Sequence, residues 1–307
     1  MILVGSTGFV GSNLMKQGVF DRVYHSIDIE EAYETHPDIL IYAGVTGTKF
    51  WANKFPDKDR IVIEQAIKNI ERIGARKLVL ISSVDVNEVL DCDESYQIKE
   101  SCFGYYGNDR LKLERWVEER FTDYTIIRLP AIYGENLKKN YVHDLICPIP
   151  PMLTVDKYNE LITHIPEIND IYRMEEDGLF HYIRNVEVDK ELIDKFIKNK
   201  FNALSFTNPE SCFQYYNLSW LWKDIHRIID LDIKKINLVT EPIYSKDLFE
   251  SVYNKKSDYS VLARPVNYKL KSKYAELFGG KNGYMYSAEY VFNDLEKFIA
   301  NLRKREY

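Results

Sequence analysis

Cysteine is scarce in this 307-residue chain: Cys92, Cys102, Cys147 and Cys212 are scattered, and no two form a CxxC pair. That argues against a disulfide scaffold or a thiolate metal site and fits a reducing compartment. The six histidines show no HxxxH spacing, so no metal is expected. No apolar run approaches the roughly 18 residues of a membrane span. The opening MILVGSTG has neither a basic stretch nor a small-residue cleavage site, so no secretory leader is expected. An excess of basic charge is also missing, since 41 Lys and Arg face 47 Asp and Glu for a net −6. A nucleic-acid partner would favour a basic protein and is not expected. The absences together point to a cytoplasmic protein with no membrane association.

What is present is ordinary in bulk and particular in detail. Hydrophobic residues make up 45% and charged residues 29%, within the globular range, so the chain can bury a core without staples. Tyrosine is abundant, with 23 copies, and packing of apolar rings with polar tips is the plainer account of them. Short apolar runs alternate with amphipathic segments up to about residue 130. Ile2-Leu3-Val4, Arg22 to His25, Asp38 to Ala43, Lys77 to Ser82 and Tyr124 to Leu129 read as strands. Phe9 to about Gln17, Asp59 to Ile73 and Tyr106 to Glu119 read as helices, with Ile63, Ala66, Ile67, Ile70 and Ile73 on one face. Apolar strands separated by helices imply a parallel sheet covered on both faces, an α/β fold. Beyond Gly134 the pattern loosens around Pro148, Pro150 and Pro151. Strands are expected at Phe180 to Val186, Ala203 to Thr207 and Ile236 to Thr240. Helices are expected at Asp189 to Lys198, Leu218 to Ile229, Ser245 to Val252 and from about Ser287 onward.

The sharpest motif is GSTGFVG, with Gly5, Gly8 and Gly11 directly after the first strand and opening the first helix. Glycines there let the backbone turn tightly and approach a pyrophosphate, which the helix N-terminus stabilises. The GxxGxxG spacing resembles the extended short-chain dehydrogenase/reductase family of nucleotide-sugar epimerases, dehydratases and reductases. Leu80 to Val86 is similar to that family's serine-bearing strand end, and Tyr106-Gly107-Asn108-Asp109-Arg110 falls where it carries YxxxK. Ile127 to Gly134 resembles its cofactor-contacting strand and loop, and Ile236 to Thr240 a late sheet segment of dTDP-sugar reductases.

The resemblance implies a Rossmann-type doubly wound parallel sheet with a smaller mixed α/β substrate lobe. Residues 1–134 and 178–240 would form the dinucleotide-binding domain, and residues 135–177 and 241–307 the substrate-binding lobe. It implies an NAD or NADP cofactor held by Gly5, Thr7, Gly8, Phe9, Val10, Gly11, Ala43, Gly44, Tyr106, Arg110 and Pro130. Ser83 would orient the reacting oxygen, and Tyr106 would exchange its proton. A phenol with a pKa near 10 needs a neighbouring cation to act as a base. The family uses lysine for this; here the position holds Arg110, a permanently charged planar fork. Arg110 is expected either beside Tyr106 or the nicotinamide ribose, or turned outward to pair with a carboxylate such as Glu114.

Asp28, 17 residues after Gly11, stands near the place of the usual NAD-selecting acid. With Glu31 it also spells a capping box, which is the favoured reading, so NAD and NADP both stay open. The second helix is short for this family, which leaves the adenine end less enclosed. Arg264, Lys269, Lys271 and Lys273 would either meet a substrate pyrophosphate or form a solvated face. The implied activity is hydride transfer on a nucleotide-activated sugar, as oxidoreductase, epimerase or dehydratase. The alternative is a catalytically degenerate dinucleotide-binding sensor or scaffold. Family precedent also implies a homodimer through the helices Asp59 to Ile73 and Tyr106 to Glu119.

Overall fold

The computed structural model describes residues 1–183, 188–199, 201–257 and 261–306. It divides into two compact units, Met1–Asn136, Phe213–Pro242 and Tyr268–Val291 forming the first, and Leu137–Cys212, Ile243–Asn267 and Phe292–Tyr307 the second. Among the described residues, no helix is long and apolar enough to cross a membrane.

The first unit is built on strands β1 (Ile2–Val4), β2 (Arg22–Tyr24), β3 (Ile39–Tyr42), β4 (Lys77–Ser83) and β5 (Tyr124–Leu129). Helices α1 (Phe9–Met15), α2 (Lys49–Lys54), α3 (Pro56–Ile73) and α4 (Gly104–Arg120) alternate with them. A sixth strand, Lys235–Asn237, pairs with β5, and the order across the sheet is Lys235–Asn237, β5, β4, β3, β1, β2. Every pairing is parallel. Period-two alternation sends successive side chains to opposite faces. Leu40, Leu78, Leu80 and Ile126 pack with Ile63, Ile70, Leu113 and Val117 of α3 and α4. Leu3, Ile41, Val79 and Ile127 pack instead with Leu14 of α1 and with Leu221, Ile225 and Ile228. The sheet is thus covered on both faces, as an all-parallel sheet requires. The connection from β2 to β3 holds only a 3-10 turn, Ile29–Ala32. Order reverses between β1 and β3, and in open α/β sheets ligands bind beyond the strand ends at such a point.

The second unit has its own core, in which Leu161, Ile168 and Phe196 are buried. Its three-stranded antiparallel sheet sets Phe180–Tyr182 between Met152–Leu153 and Tyr172–Met174.

Most expected elements form within a few residues of their expected ends. The expected strand Ala203 to Thr207 is a 3-10 helix, Ala203–Phe206, with Asn202 and Ser205 in a reciprocal capping box. Of the expected strand Phe180 to Val186, Phe180–Tyr182 forms and residues 184–187 lie outside the described residues. The unit boundaries also differ from the expected domain limits. Residues 178–212 belong to the second unit because Phe180–Tyr182 is its central strand and Phe196 fills its core. Residues 268–291 belong to the first, where Leu270 exchanges hydrogen bonds with the Gln214 side chain and Asn237 Nδ2 donates to Lys271 O.

Candidate active site

The glycine turn follows from where β1 ends. Gly5 N and Ser6 N both donate to Tyr24 O at the end of β2, at 2.8 and 3.2 Å, and Gly8 N donates to Gly5 O at 3.0 Å. Gly5 has φ +92°, and a Cβ there would overlap the Ala43 carbonyl. A Cβ on Gly11 would likewise overlap the Gly5 carbonyl. Both positions are fixed by packing. Gly8 differs: its Cβ would meet only Gly5 O at 3.2 Å and Ala43 O at 4.0 Å, and Thr7 and Gly8 are exposed. Gly8 caps α1 without a side-chain hydrogen bond, and the first turn has no acidic residue. The unpaired amides and the positive helix end therefore suit an anion. This cradle, which a side chain at Gly8 would fill, fits a dinucleotide pyrophosphate. Ala43 and Gly44 follow β3 beside it, and Pro130 follows β5. Phe9 and Val10 pack into the core, so only their backbone can serve a ligand.

Asp28 does not cap the turn behind it. Its carboxylate accepts from His25 N at 2.6 Å and lies 3.5 Å from His25 Nε2, and the 3-10 turn has no side-chain cap. The expected capping box is absent because the carboxylate closes the loop after β2 instead. Lys269, Lys271 and Lys273 alternate with buried Tyr268, Leu270 and Ser272 and form an exposed face, while Arg264 is exposed in the second unit. Among the described residues, no group of three or more His, Cys, Asp or Glu side chains could hold a metal ion.

The chemistry-bearing residues gather where β4 ends and α4 begins. Ser83 Oγ accepts from Asp85 N at 3.1 Å, and the Ser83 hydroxyl lies near enough to the Tyr106 phenol to act on it. Asn53 Oδ1, on α2, accepts from Tyr106 N at 3.0 Å and fixes the start of α4. Gly107 permits this approach, because a Cβ there would overlap Ser101 Oγ and the Asp85 carbonyl. Burial pushes the Tyr106 phenol above its ordinary pKa; Arg110 lowers it, Asp85 raises it, the nearby Ser83 hydroxyl lowers it and Asp59 raises it.

Arg110 takes neither expected course in full. Its guanidinium lies against Tyr106, 3.9 Å from the ring centroid, but its donors are committed elsewhere. Nη1 pairs with Asp59 Oδ2 and donates to Tyr106 O at 3.0 Å. Nη2 donates to Asp59 Oδ1 at 3.0 Å and Thr46 O at 2.6 Å. Both partners of this bidentate pair are buried. Glu114 is no outward partner either, since it holds buried Arg128 at 2.6 Å and accepts from Ser82 Oγ at 2.5 Å.

Sequence reasoning missed Asp59, although its spacing to Ile63, Ala66 and Ile70 sets a carboxylate in line with the buried stripe of α3. It also missed Lys49, Asp85 and Tyr268. Lys49 Nζ lies 2.7 Å from Asp85 Oδ2, and the Tyr268 hydroxyl donates to Asp85 Oδ1 at 2.7 Å. These three come from distant parts of the sequence, and no local pattern joins them.

An NAD(P)H-binding family model matches residues 22–144, which include Ser83, Tyr106 and Arg110 but not the glycine turn. No curated protein matches the sequence. Similar solved structures include dTDP-4-dehydrorhamnose reductase from Bacillus anthracis str. Ames in complex with NADP, with TM-score 0.62 and 17% identity over 98% of this chain and 97% of that one. RMD from Pseudomonas aeruginosa complexed with NADPH has TM-score 0.61 and 11% identity over 99% and 97% of the two chains. UDP-N-acetylglucosamine 4-epimerase from Bacillus cereus has TM-score 0.55 and 12% identity over 98% of each. At identities this low the likeness shows the fold alone.

Proposed function

We propose that this chain, which carries an NAD(P)H-binding domain in the fold of the extended short-chain dehydrogenase/reductases, reduces a carbonyl on a nucleotide-activated sugar. The observation that carries the reading is the placing of the Ser83 hydroxyl, at the carboxyl end of β4, beside the buried phenol of Tyr106. A bound reduced nicotinamide would supply the hydride. Tyr106 gives its proton to the carbonyl oxygen as that oxygen takes the electron pair, and Ser83 holds the oxygen in line. Burial raises the phenol's hold on its proton, which suits a proton donor. The turn from Gly5 to Gly11 holds the pyrophosphate, with Ala43, Gly44 and Pro130 beside it. NADPH is the first cofactor to try, since two similar structures contain NADP or NADPH.

The test is loss of NADPH absorbance at 340 nm with dTDP-4-dehydrorhamnose and a panel of UDP- and GDP-linked keto sugars. Oxidation that depends on one of these supports the reading. A second reading draws on Arg110, whose commitment to Asp59 leaves the family's lysine position structural. On that reading the protein is a degenerate dinucleotide-binding sensor or scaffold. NADPH binding measured by calorimetry, with no turnover across the panel, favours it.

A further inference from the structure

We infer that the Lys49–Asp85 ion pair controls proton transfer at Tyr106, acting beside the buried Arg110–Asp59 pair. The inference deepens the reading of Ser83 and Tyr106 as a proton-transfer pair and rests on it. Asp85 adjoins that pair, since its N–H donates to Ser83 Oγ at 3.1 Å and a Cβ on Gly107, the residue after Tyr106, would overlap the Asp85 carbonyl. Its carboxylate is held on both oxygens, by Lys49 Nζ at 2.7 Å and by the Tyr268 hydroxyl at 2.7 Å. Lys49 opens α2, two residues after Gly47, and a Cβ on Gly47 would lie 3.9 Å from the Tyr106 hydroxyl oxygen. The ammonium also sits 3.8 Å above the Phe103 ring, whose other neighbour is the parallel ring of Tyr268. The two charges are unequally sheltered, with side-chain exposures of 38% for Lys49 and 12% for Asp85.

The charged groups acting on Tyr106 are Arg110 from α4, Asp59 from α3 and Asp85 from the turn after β4, with Lys49 of α2 behind Asp85. Tyr268 and Cys102 are the titratable neighbours of Asp85. Arg110 and Asp59 oppose each other in a closed buried pair. Asp85 strengthens the phenol's hold on its proton, and Lys49 is the cation that offsets Asp85. Lys49 and Asp85 are positioning residues, acting on the reaction through Tyr106.

The test is a pH titration of Tyr106 by 19F NMR in protein labelled with 3,5-difluorotyrosine, whose more acidic phenol brings the transition into an accessible range. Tyr106→Phe identifies the signal. Removing the carboxylate in Asp85→Asn is expected to lower the midpoint by on the order of one pH unit. Lys49→Met, at a part-exposed side chain, is expected to raise it. Lys49→Arg keeps the charge and should titrate with the wild type. Equal midpoints in wild type, Asp85→Asn and Lys49→Met would overturn the inference, and if Asp85→Asn does not fold, Lys49→Met alone decides. No substrate or cofactor enters this titration. A silent 340 nm assay with shifted midpoints therefore counts against the reductase reading alone, and turnover with unshifted midpoints against the ion pair alone.

Discussion

Arg110 and Asp59 meet where neither is reached by water, and the cost of parting them is set by burial. Removing one partner of such a pair leaves an uncompensated charge and typically costs about 3–5 kcal/mol, whereas replacing both is much milder. Arg110→Met should therefore lower unfolding free energy by about that amount in urea titrations, and Arg110→Met with Asp59→Leu should recover most of it. Arg110→Lys should recover little, because an ammonium cannot reproduce the fork that spans Asp59, Tyr106 O and Thr46 O. Tyr106→Phe makes the opposite separation. It deletes one hydroxyl, leaves the Arg110 stack in place, and should reduce kcat by roughly 10²–10⁴-fold with NADPH affinity unchanged by calorimetry. An Arg at the fourth position after this tyrosine is visible in the sequence. That its charge is spent on Asp59 is not, because the pairing depends on how α3 packs against α4.

Among the elements, the turn between β1 and α1 contrasts three glycines that look alike in sequence. Gly8→Val should abolish NADPH binding by placing a side chain in the cradle, and its 3.2 Å approach to Gly5 O should lower the melting temperature less than the closer overlap at Gly11 does. Gly11→Ala should instead destabilise the fold by about 1–3 kcal/mol through overlap with the Gly5 carbonyl, measured by thermal unfolding. The strands of the first unit were legible because each is a short apolar run whose alternate residues serve two cores, as Leu40 and Ile41 do. The candidate site could be proposed from sequence only where its motifs are local, in the glycine turn and at Ser83 and Tyr106. The strand expected at Ala203 to Thr207 failed although Leu204 and Phe206 alternate with Ser205 and Thr207 as in a strand, because the Asn202–Ser205 box decides for a helical turn. The Asp28 cap failed for a similar reason, as two acceptor uses competed for one carboxylate and His25 won it.

For the whole molecule, the outward side of α3 exposes Ile61 at 63%. Pairing of α3 and α4 with a second copy would cover that surface, and static light scattering should then give twice the 36.2 kDa chain mass; a monomer mass would reject the dimer. The short passage between β2 and β3 has a kinetic consequence. A chain that spends only a 3-10 turn there builds little wall around an adenosine, and fewer contacts shorten residence chiefly through faster dissociation. The nucleotide should then behave as a travelling co-substrate, arriving charged and departing spent at each cycle. Protein passed through a desalting column should emerge without absorbance at 340 nm, and rapid-mixing fluorescence should record NADPH leaving faster than the enzyme turns over. Such a protein draws its reducing power from the surrounding pool, and its output would follow the ratio of reduced to oxidised nucleotide in that pool.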